Sequence, residues 1–414
     1  MKRRTAVTGI GVIAPNGIGK EAFWKALEEG RSGIKRIKSF DASSFPTQIA
    51  GEVRDFDPFE CIPPRDVKRT SRAIQFAIAS AQTSMLDSQL QIHDGDEVGV
   101  IMGISASAAE IVEMQHAIFL EKGMSRVSPF TVMSVIPSAP ATNIAKLLGC
   151  KGSVLTISNS CASGLDAIGH AFRNISCGRD KVYFAGGTDA QITPFSLAML
   201  CAPRAMSTRN DEPEKASRPF DKNRDGGILS EGCGVLVLED MDHAIEKGKH
   251  IYAEILGYAS RCDGNETCEE MKNTGIERTI RHTLEDAEIE PSEVGYICAH
   301  GPSDEFDKIE TMAIKQVFGK HAYKIPVSSI KSMIGNPLAA AGPLQLIAST
   351  MVFERNIIPP TINHEEPDIG CDLDYVPNKS RKSDNVNTIL INSHGFGGLN
   401  ASLVIKRFQR AEIL

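Results

Sequence analysis

Short apolar runs alternate with longer amphipathic stretches along the chain. The runs are rich in β-branched residues and are bounded by glycine, proline and polar residues, so they predict buried strands. These predicted strands are Thr5–Val12, Glu97–Met102, Val154–Ile157, Lys181–Gly186, Gly234–Leu238, Ala253–Tyr258, Val294–Ala299, Pro326–Ser328, Thr388–Asn392 and Ser402–Lys406. Between them, apolar residues at helical spacing predict helices at Arg72–Asp87, Gly164–Cys177, Asn273–Ala287, Lys308–Phe318 and Pro343–Glu354. This alternation is typical of an α/β protein with buried sheets.

The predicted strands and helices follow a similar order in the two parts of the chain. A chain of 414 residues is long enough for two core-forming units or one duplicated unit. No low-complexity linker separates the parts, so we expect two halves that fold together, residues 1–250 and 251–414. Stretches rich in proline or charge predict surface loops at Arg209–Arg218, Pro359–Pro377 and Asn378–Asn387.

Composition narrows the class of protein. Hydrophobic residues make up 42% and charged residues 23%, which is ordinary for a globular protein, and the net charge of −7 argues against general nucleic-acid binding. The basic and then apolar start of the chain is interrupted by Thr8, Gly9 and Gly11, and it predicts a first strand better than a signal peptide. No apolar run is long enough to span a membrane. We therefore expect a cytoplasmic protein.

The ten cysteines form no CxxC pair and do not alternate with histidine at metal-ligand spacing, so they predict neither a metal site nor a disulfide framework. Cys161 differs from the others because it follows an apolar strand and a polar turn, and it begins a predicted helix. Backbone amides at a helix N-terminus favour thiolate over thiol, which would make Cys161 a nucleophile. The alternative for Cys161 alone is a buried, inert cysteine.

Four segments together resemble the active site of the β-ketoacyl-acyl-carrier-protein synthases, most closely the synthase II type. They are Ser158-Asn-Ser-Cys161-Ala-Ser-Gly164, Ala299-His300-Gly301, Lys331-Ser-Met-Ile-Gly-Asn336 and Asn392-Ser-His-Gly-Phe396-Gly-Gly-Leu-Asn400. The resemblance runs through essentially the whole chain and includes Ser207–Asn210, Arg218–Lys222 and Arg224–Gly226. It implies a thiolase-type duplicated α/β fold in five layers, αβαβα. It also implies a dimer that needs no cofactor and no metal.

The resemblance implies a role for each matching side chain. Cys161 takes the acyl group, and His300 donates a hydrogen bond to the malonyl thioester carbonyl. Lys331 supports the site electrostatically. Phe396 gates the site, and its backbone N–H and that of Cys161 form the oxyanion hole.

This chain departs from the family pattern at the centre of the site. Asn336 stands where the family has histidine; the related synthase III and chalcone-synthase-like branches use Cys-His-Asn, and an amide donates a hydrogen bond as an imidazole does. His394 replaces a phenylalanine, either as a histidine packed beside the site or as a substitute for the missing imidazole. Gln345 replaces a glutamate, which suggests a retuned site.

Other departures fall on substrate-binding positions. The family's His-Gly-Thr-Ser-Thr is His300-Gly-Pro-Ser303-Asp304 here, so a proline and a carboxylate meet the malonyl donor. Ala106 lies where the family has a bulky residue at the foot of the acyl pocket, which would lengthen the pocket unless the alanine is ordinary packing. A basic cluster near a predicted helix start could dock the acidic acyl carrier protein or could be a solvated face; its members are Arg65, Lys68, Arg69 and Arg72.

Three functions remain open at this stage. The first is a 3-oxoacyl synthase that condenses acyl-Cys161 with malonyl-carrier protein by a decarboxylative Claisen reaction, in fatty-acid or specialised lipid or polyketide synthesis. The second is a non-condensing subunit in a heterodimer with an active synthase. The third is an acyltransferase or thioesterase that uses Cys161. Retention of Cys161 and His300 argues against the second, and the altered segment from His300 to Asp304 keeps the third open.

Overall fold

The same order of strands occurs twice in the computed structural model, which describes residues 2–93, 97–264 and 274–409. The strands of this described part are β1 (Thr5–Ala14), β2 (Gly17–Ile18), β3 (Lys35–Arg36), β4 (Ile49–Ala50), β5 (Val98–Gly103), β6 (Val154–Ile157), β7 (Val182–Asp189), β8 (Gly232–Asp240), β9 (Ala253–Cys262), β10 (Tyr296–Cys298), β11 (Val327–Ser328), β12 (Ile357–Ile358), β13 (Arg381–Lys382), β14 (Thr388–Gly395) and β15 (Leu399–Lys406). The α-helices are α1 (Lys20–Glu28), α2 (Pro64–Val67), α3 (Arg72–Ser88), α4 (Ala109–Lys122), α5 (Thr131–Val135), α6 (Ala139–Leu148), α7 (Ser163–Ser176), α8 (Pro194–Cys201), α9 (Met241–Glu246), α10 (Thr274–Ala287), α11 (Phe306–Phe318), α12 (Lys331–Ile334) and α13 (Ala341–Arg355).

Two five-stranded halves make up the main sheet. The first has the order β6-β5-β7-β8-β1, and the second has the matching order β11-β10-β14-β15-β9. In each half the first three strands in this order run parallel, and the last two are antiparallel to their neighbours. The halves meet where Thr5–Val7 of β1 pairs with Ala253–Ile255 of β9. The duplication is therefore visible in topology, and the division at residue 250 that we predict lies between β8 and β9.

Helices cover and separate these two halves. Helices α3 and α6 pack on the outer face of the first half, and α10 and α11 lie together over the second. Helices α7 and α13 pack against each other, with α7 on β5 and β7 and α13 on β14. The result is the αβαβα layering that the resemblance implies, with the N-terminus of α7 in the central layer.

The central layer is tightly packed because its residues are small or apolar. Every residue of α13 from Ala341 to Phe353 is buried, as expected for a helix that has neighbours all round. A Cβ atom at Gly164 would lie 2.1 Å from the carbonyl oxygen of Ala339. Only glycine permits this approach, which brings the start of α7 against the segment that follows Asn336.

Each predicted strand and helix has a counterpart, but several boundaries differ. Strand β14 continues to Gly395 because its backbone pairs with β15 past the polar residues. Asn273, the predicted start of a helix, lies outside the described residues. The predicted surface loop 359–377 ends in the interior, where the ring of Tyr375 stacks on Phe220 with centroids 4.0 Å apart.

Candidate active site

Cys161 lies in the sharp turn between β6 and α7. Ser160 before it has φ +53°, a left-handed conformation that is rare for serine. The turn is held by hydrogen bonds from Ala162 N to Asn159 O, 3.1 Å, and from Ser163 N to Ser160 O, 3.1 Å. Only 2% of Cys161 is exposed. The turn therefore presents the thiol at the start of α7 inside the protein.

Asn336 points its amide NH2 at the sulfur. Its Oδ1 accepts a hydrogen bond from Leu338 N at 3.3 Å, and its Nδ2 donates to Cys161 Sγ at 3.6 Å. The backbone is fixed by a bond from Asn336 N to Ile228 O, 2.7 Å, and Gly335 before it has φ +70°. Because the oxygen is occupied, the donor side of the amide faces the nucleophile.

The neutral tautomer of His300 is set by its neighbours. Its Nδ1 accepts from the backbone N–H of His394 at 3.1 Å, and Lys331 Nζ lies 2.7 Å from Nδ1 and 3.3 Å from Nε2. Burial, followed by the charges of Lys331 and His394, holds the pKa of His300 well below its usual range. A neutral ring whose Nδ1 accepts must carry its proton on Nε2. His300 is therefore a donor through Nε2.

Burial has a larger effect on the pKa of the Cys161 thiol than the nearby charges have. Burial raises the pKa of Cys161, and the charge of Lys331 and the hydrogen bond from Asn336 offset only part of this rise. Burial also lowers the pKa of Lys331 to about 8. Burial therefore favours the thiol of Cys161 and opposes the thiolate that its place at a helix N-terminus predicts.

Glu310 on α11 is a buried carboxylate that sequence reasoning missed. It accepts from His300 N and Gly301 N, both at 2.9 Å, and from Asn392 Nδ2 at 3.1 Å. Burial alone would raise the pKa of Glu310, but contact with His394 and the two backbone N–H bonds lower it below its usual value. Its position one turn after Asp307 on a predicted helix was the available signal.

His394 lies between Glu310 and the cavity. Its Nε2 is 3.6 Å from Glu310 Oε1, and its ring meets the His300 ring edge to face with centroids 5.2 Å apart. The side chain is buried. His394 thus belongs to the site. Gln345 instead holds the surrounding backbone together, because its Nε2 donates to Ala299 O at 2.8 Å and to Asn392 O at 3.0 Å.

A small cavity opens onto these groups. It is lined by Cys161, His300, Pro302, Asp304, Phe306, Asn336, His394, Gly395 and Phe396. Asp304 Oδ1 accepts from Phe306 N at 2.9 Å, and burial raises the pKa of its carboxyl. Phe396 is 53% exposed in the turn between β14 and β15, where Gly397 and Gly398 both have positive φ. The turn therefore places Phe396 at the mouth of the cavity.

Two predicted substrate-binding residues, Ser303 and Ala106, do not line this cavity. Ser303 is buried, and its Oγ accepts from Arg218 N at 2.9 Å, so the hydroxyl is used within the protein. Ala106 is exposed; its carbonyl accepts from Gln191 Nε2 at 2.6 Å and its N–H donates to Asp189 at 3.4 Å. The Asp189 carboxylate also accepts from Ala339 N at 2.8 Å, which ties the Ala106 segment to the segment after Asn336.

Three cations of the predicted basic cluster are exposed, and the fourth, Arg72, is held by a paired contact with a carboxylate. Arg65, Lys68 and Arg69 are exposed, with Arg65 Nε 3.5 Å from Asp66 and the Arg69 guanidinium 4.3 Å from the centre of the Phe130 ring. Arg72 forms a paired contact with Glu231, at 2.8 and 2.7 Å. Arg72 therefore connects α3 to the segment before β8, which leaves it less available for a partner.

Family comparison covers most of the chain. The model described as "Beta-ketoacyl synthase, N-terminal domain" matches residues 2–244, and "Beta-ketoacyl synthase, C-terminal domain" matches residues 252–365. In the described residues no helix is long and apolar enough to cross a membrane.

Similar proteins span the same length. The chain is 43% identical to 3-oxoacyl-[acyl-carrier-protein] synthase 2 of Coxiella burnetii over 98% of this chain and 99% of that one, and 43% identical to the synthase 2 of Synechocystis sp. over 99% of each. Among solved structures, a type II polyketide acyl-carrier protein in complex with its ketosynthase bound to the hexaketide matches with TM-score 0.90 and 36% identity, over 99% of this chain and 100% of that chain. The ishigamide ketosynthase/chain length factor matches with TM-score 0.92 and 33% identity over the same shares.

Proposed function

The chain belongs to the β-ketoacyl synthase family, and we propose that it is an acyl-carrier-protein-dependent 3-oxoacyl synthase that works through Cys161, His300 and Asn336. The main support for this proposal is that the thiol of Cys161, the amide NH2 of Asn336 and the imidazole Nε2–H of His300 meet at one cavity. These groups are a nucleophile and two donors for a thioester carbonyl. The relatives named as synthases of acyl-carrier-protein substrates support the same substrate class.

The reaction has two stages. Cys161 attacks an acyl thioester of the carrier, and the oxyanion that forms is stabilised by the backbone N–H groups of Cys161 and Phe396. The malonyl thioester then places its carbonyl between Asn336 Nδ2–H and His300 Nε2–H. These two donors stabilise the enolate as carbon dioxide leaves. The enolate carbon attacks the carbonyl carbon of acyl-Cys161, the bond from that carbon to sulfur breaks, and the Cys161 sulfur is released as the leaving group. Loss of carbon dioxide drives the step, so the reaction itself calls for no redox cofactor.

The first test follows Cys161 by mass. The purified chain is incubated with an acyl-carrier-protein thioester, and malonyl-carrier protein is then added. An acyl adduct on Cys161 that converts to a 3-oxoacyl product supports the synthase. An adduct that persists or only hydrolyses would instead support the acyltransferase or thioesterase, a second function that Pro302 at the cavity favours because proline has no N–H to offer a malonyl group.

The exposed edge strand of the first half of the sheet is evidence for a dimer. Strand β6 is the last strand of the first half, and its Val154 and Leu155 are 40% and 46% exposed. An exposed apolar edge strand can pair with another chain. Further exposed apolar side chains lie on α4, α5 and α8, namely Val112, Met114, Phe119, Leu120, Val132, Met133, Phe195 and Met199. We infer a homodimer that continues the sheet through β6, and a related chain on this face would give the heterodimer.

Charge at the edge strand should separate the copies. In Leu155→Asp, a carboxylate replaces an apolar side chain that we place in the interface, so we expect a monomer where the parent chain is a dimer. Sedimentation velocity measures the mass. Leu86→Asp introduces the same charge at a leucine that is 79% exposed on α3, and it should stay dimeric. A Leu155→Asp protein that is still dimeric would place the interface elsewhere.

The carrier protein should dock on the exposed cations before α3. In the triple variant Arg65→Glu, Lys68→Glu and Arg69→Glu, the KM for the acyl-carrier substrate should rise about tenfold or more at low salt, and the difference should shrink as salt is added. The kcat should change little, because these side chains do not line the cavity. Lys379→Glu, a charge reversal at another exposed position, is the control. An unchanged KM would remove this surface from the proposal.

The state of the cysteines bears on where in the cell the enzyme works. We propose that the enzyme works in the cytoplasm, because the cysteines of the described residues are free thiols, as is usual in a reducing compartment.

A further inference from the structure

His394 is a buried base with nothing bound to its ring nitrogens. Only 3% of the residue is exposed, and neither Nδ1 nor Nε2 has a hydrogen-bond partner within the described residues. Its nearest charged neighbour is Glu310, whose Oε1 lies 3.6 Å from Nε2. Unpartnered polar atoms in a protein interior are rare and costly, so they indicate a missing partner. Because His394 lines the Cys161 cavity, that partner can enter from the cavity.

Acyl transfer to Cys161 requires a proton acceptor. Burial raises the pKa of Cys161 and so favours the thiol, and the Asn336 amide that donates to its sulfur cannot take a proton. Nδ1 of His300 is already occupied by the His394 backbone N–H, and its Nε2 carries the ring proton. The two histidines thus differ in what they can do: His300 can donate to a carbonyl, while His394 has a free nitrogen lone pair.

Glu310 prepares His394 for this task. The carboxylate is fixed by the N–H groups of His300 and Gly301, each 2.9 Å away, and is ionised inside the protein. A fixed carboxylate beside Nε2 favours the tautomer with its proton on Nε2, which leaves the lone pair on Nδ1. It also stabilises the imidazolium that forms when the ring takes a second proton.

We propose that His394, held by Glu310, is the general base and acid of acyl transfer at Cys161. The proposal rests on the proposed function, because it assigns a role within the first half of that reaction. In this role His394, which lies in β14, supplies the imidazole that Asn336 lacks. His394 is then a catalytic residue, and Glu310 is a positioning residue.

The step balances in protons and electrons. The thiol proton of Cys161 passes across the cavity to His394, and the sulfur electron pair forms a bond to the acyl carbonyl carbon. The tetrahedral intermediate then breaks its bond to the carrier's sulfur. That sulfur takes the proton from His394 and leaves as a thiol. No oxidant, reductant or additional reactant is involved.

Charged groups from several elements surround the His394 ring. Glu310 of α11 lies 3.6 Å from Nε2, Asp263 lies just after β9, and Lys331 of α12 contacts the neighbouring His300 ring at 2.7 Å. His300 at the end of β10 faces the ring edge to face, and Cys161 shares the cavity. The pH dependence of acyl transfer therefore reports on this whole set.

The test measures acylation before any condensation can occur. Rapid quench and intact mass follow acyl-Cys161 formation from an acyl-carrier thioester in the parent chain, His394→Phe and Glu310→Gln. We expect His394→Phe to acylate about a hundredfold more slowly, the lower range of general acid–base catalysis. Its rate should also rise steeply with pH, because thiolate becomes the only reactive form. Glu310→Gln should be slower by about tenfold while keeping a ring at position 394.

Two controls keep folding and chemistry apart. His93→Phe makes the same change at an exposed histidine after α3 and should acylate like the parent. His394→Gln retains a polar side chain of similar length and should be as slow as His394→Phe; near-ultraviolet circular dichroism verifies that each variant is folded. Alkylation of Cys161 by iodoacetamide gives a second readout, and its pH profile should move to higher pH in both His394 variants.

The outcomes distinguish the two proposals. If folded His394→Phe and His394→Gln acylate at the parent rate with the parent pH profile, His394 has no part in proton transfer, even if the parent condenses normally. If the parent acylates but forms no 3-oxoacyl product, the synthase proposal fails while slow His394 variants still support the base. If the parent does not acylate at all, both proposals are overturned.

Discussion

Cys161→Ser should form no detectable acyl adduct and should lose at least about 10⁴-fold in condensation activity, the scale seen when a catalytic nucleophile is removed. Serine keeps the size and position of the side chain in the turn before α7, so the fold and the contact with Asn336 should persist. An alcohol remains protonated in a site where burial already raises the pKa of the thiol. The measurement pairs intact mass of the enzyme with product formation from malonyl-carrier protein.

The matched control is Cys233→Ser. Cys233 is fully buried in β8, and burial raises the pKa of its thiol to about 12. Serine there has Ser80 and Thr188 within reach for hydrogen bonding, so the variant should fold and keep its activity. Acyl adducts that survive in Cys161→Ser would assign the nucleophile to another residue and would end the mechanism proposed above.

The fold was largely predictable because its core strands are continuous apolar runs. A run such as Gly234–Leu238 is buried on both faces, and its composition alone indicates this. The end of β14 was not predictable in the same way. Its residues Asn392, Ser393 and His394 are polar, yet all three are buried because the strand passes under the turn that carries Cys161. Burial there is decided by contacts between distant segments, which a local pattern does not contain.

The residues of the site that lie in sequence motifs were predictable, whereas the residue that supports them from a neighbouring helix was not. Cys161, His300, Lys331 and Asn336 lie in short segments whose order is recognisable, and the structure brings them to one place. Glu310 sits in an amphipathic helix, where a lone glutamate looks like a solvent-facing residue. Its position one turn after Asp307 is a weak signal, and the packing of α11 under His300 shows which groups it binds.

Roles that depend on direction were also hidden in the sequence. Ser303 has the hydroxyl expected of a substrate contact, but its φ of +74° turns the backbone so that the side chain meets Arg218. Gln345 looks like a neutral replacement for a glutamate, yet its amide joins the residue after β10 to the middle of β14. A one-dimensional pattern records the residue type and omits the direction of the side chain.

Asn336→Ala should separate the two half-reactions. Acylation of Cys161 should stay within a few-fold of the parent, since the weak 3.6 Å contact to the sulfur is not required for attack. Condensation should fall by about 10²–10³-fold, the cost of removing one donor from an oxyanion site. Single-turnover kinetics from a preformed acyl-Cys161 enzyme measure the second stage alone.

Asn336→Asp strengthens the argument because it keeps the shape of the side chain and replaces the donor with a negatively charged acceptor. An ionised carboxylate would face the enolate oxygen and the sulfur, so condensation should fall further than in Asn336→Ala. Leu338 N would still have an oxygen to bond, which preserves the local backbone. A variant series in which alanine and aspartate both condense at the parent rate would show that His300 suffices and that the amide is not a catalytic group. An asparagine enzyme that condenses much faster than the alanine variant is the result expected if residue 336 donates a hydrogen bond to charge that develops as carbon dioxide leaves, and a still slower aspartate variant would show that negative charge develops beside this residue.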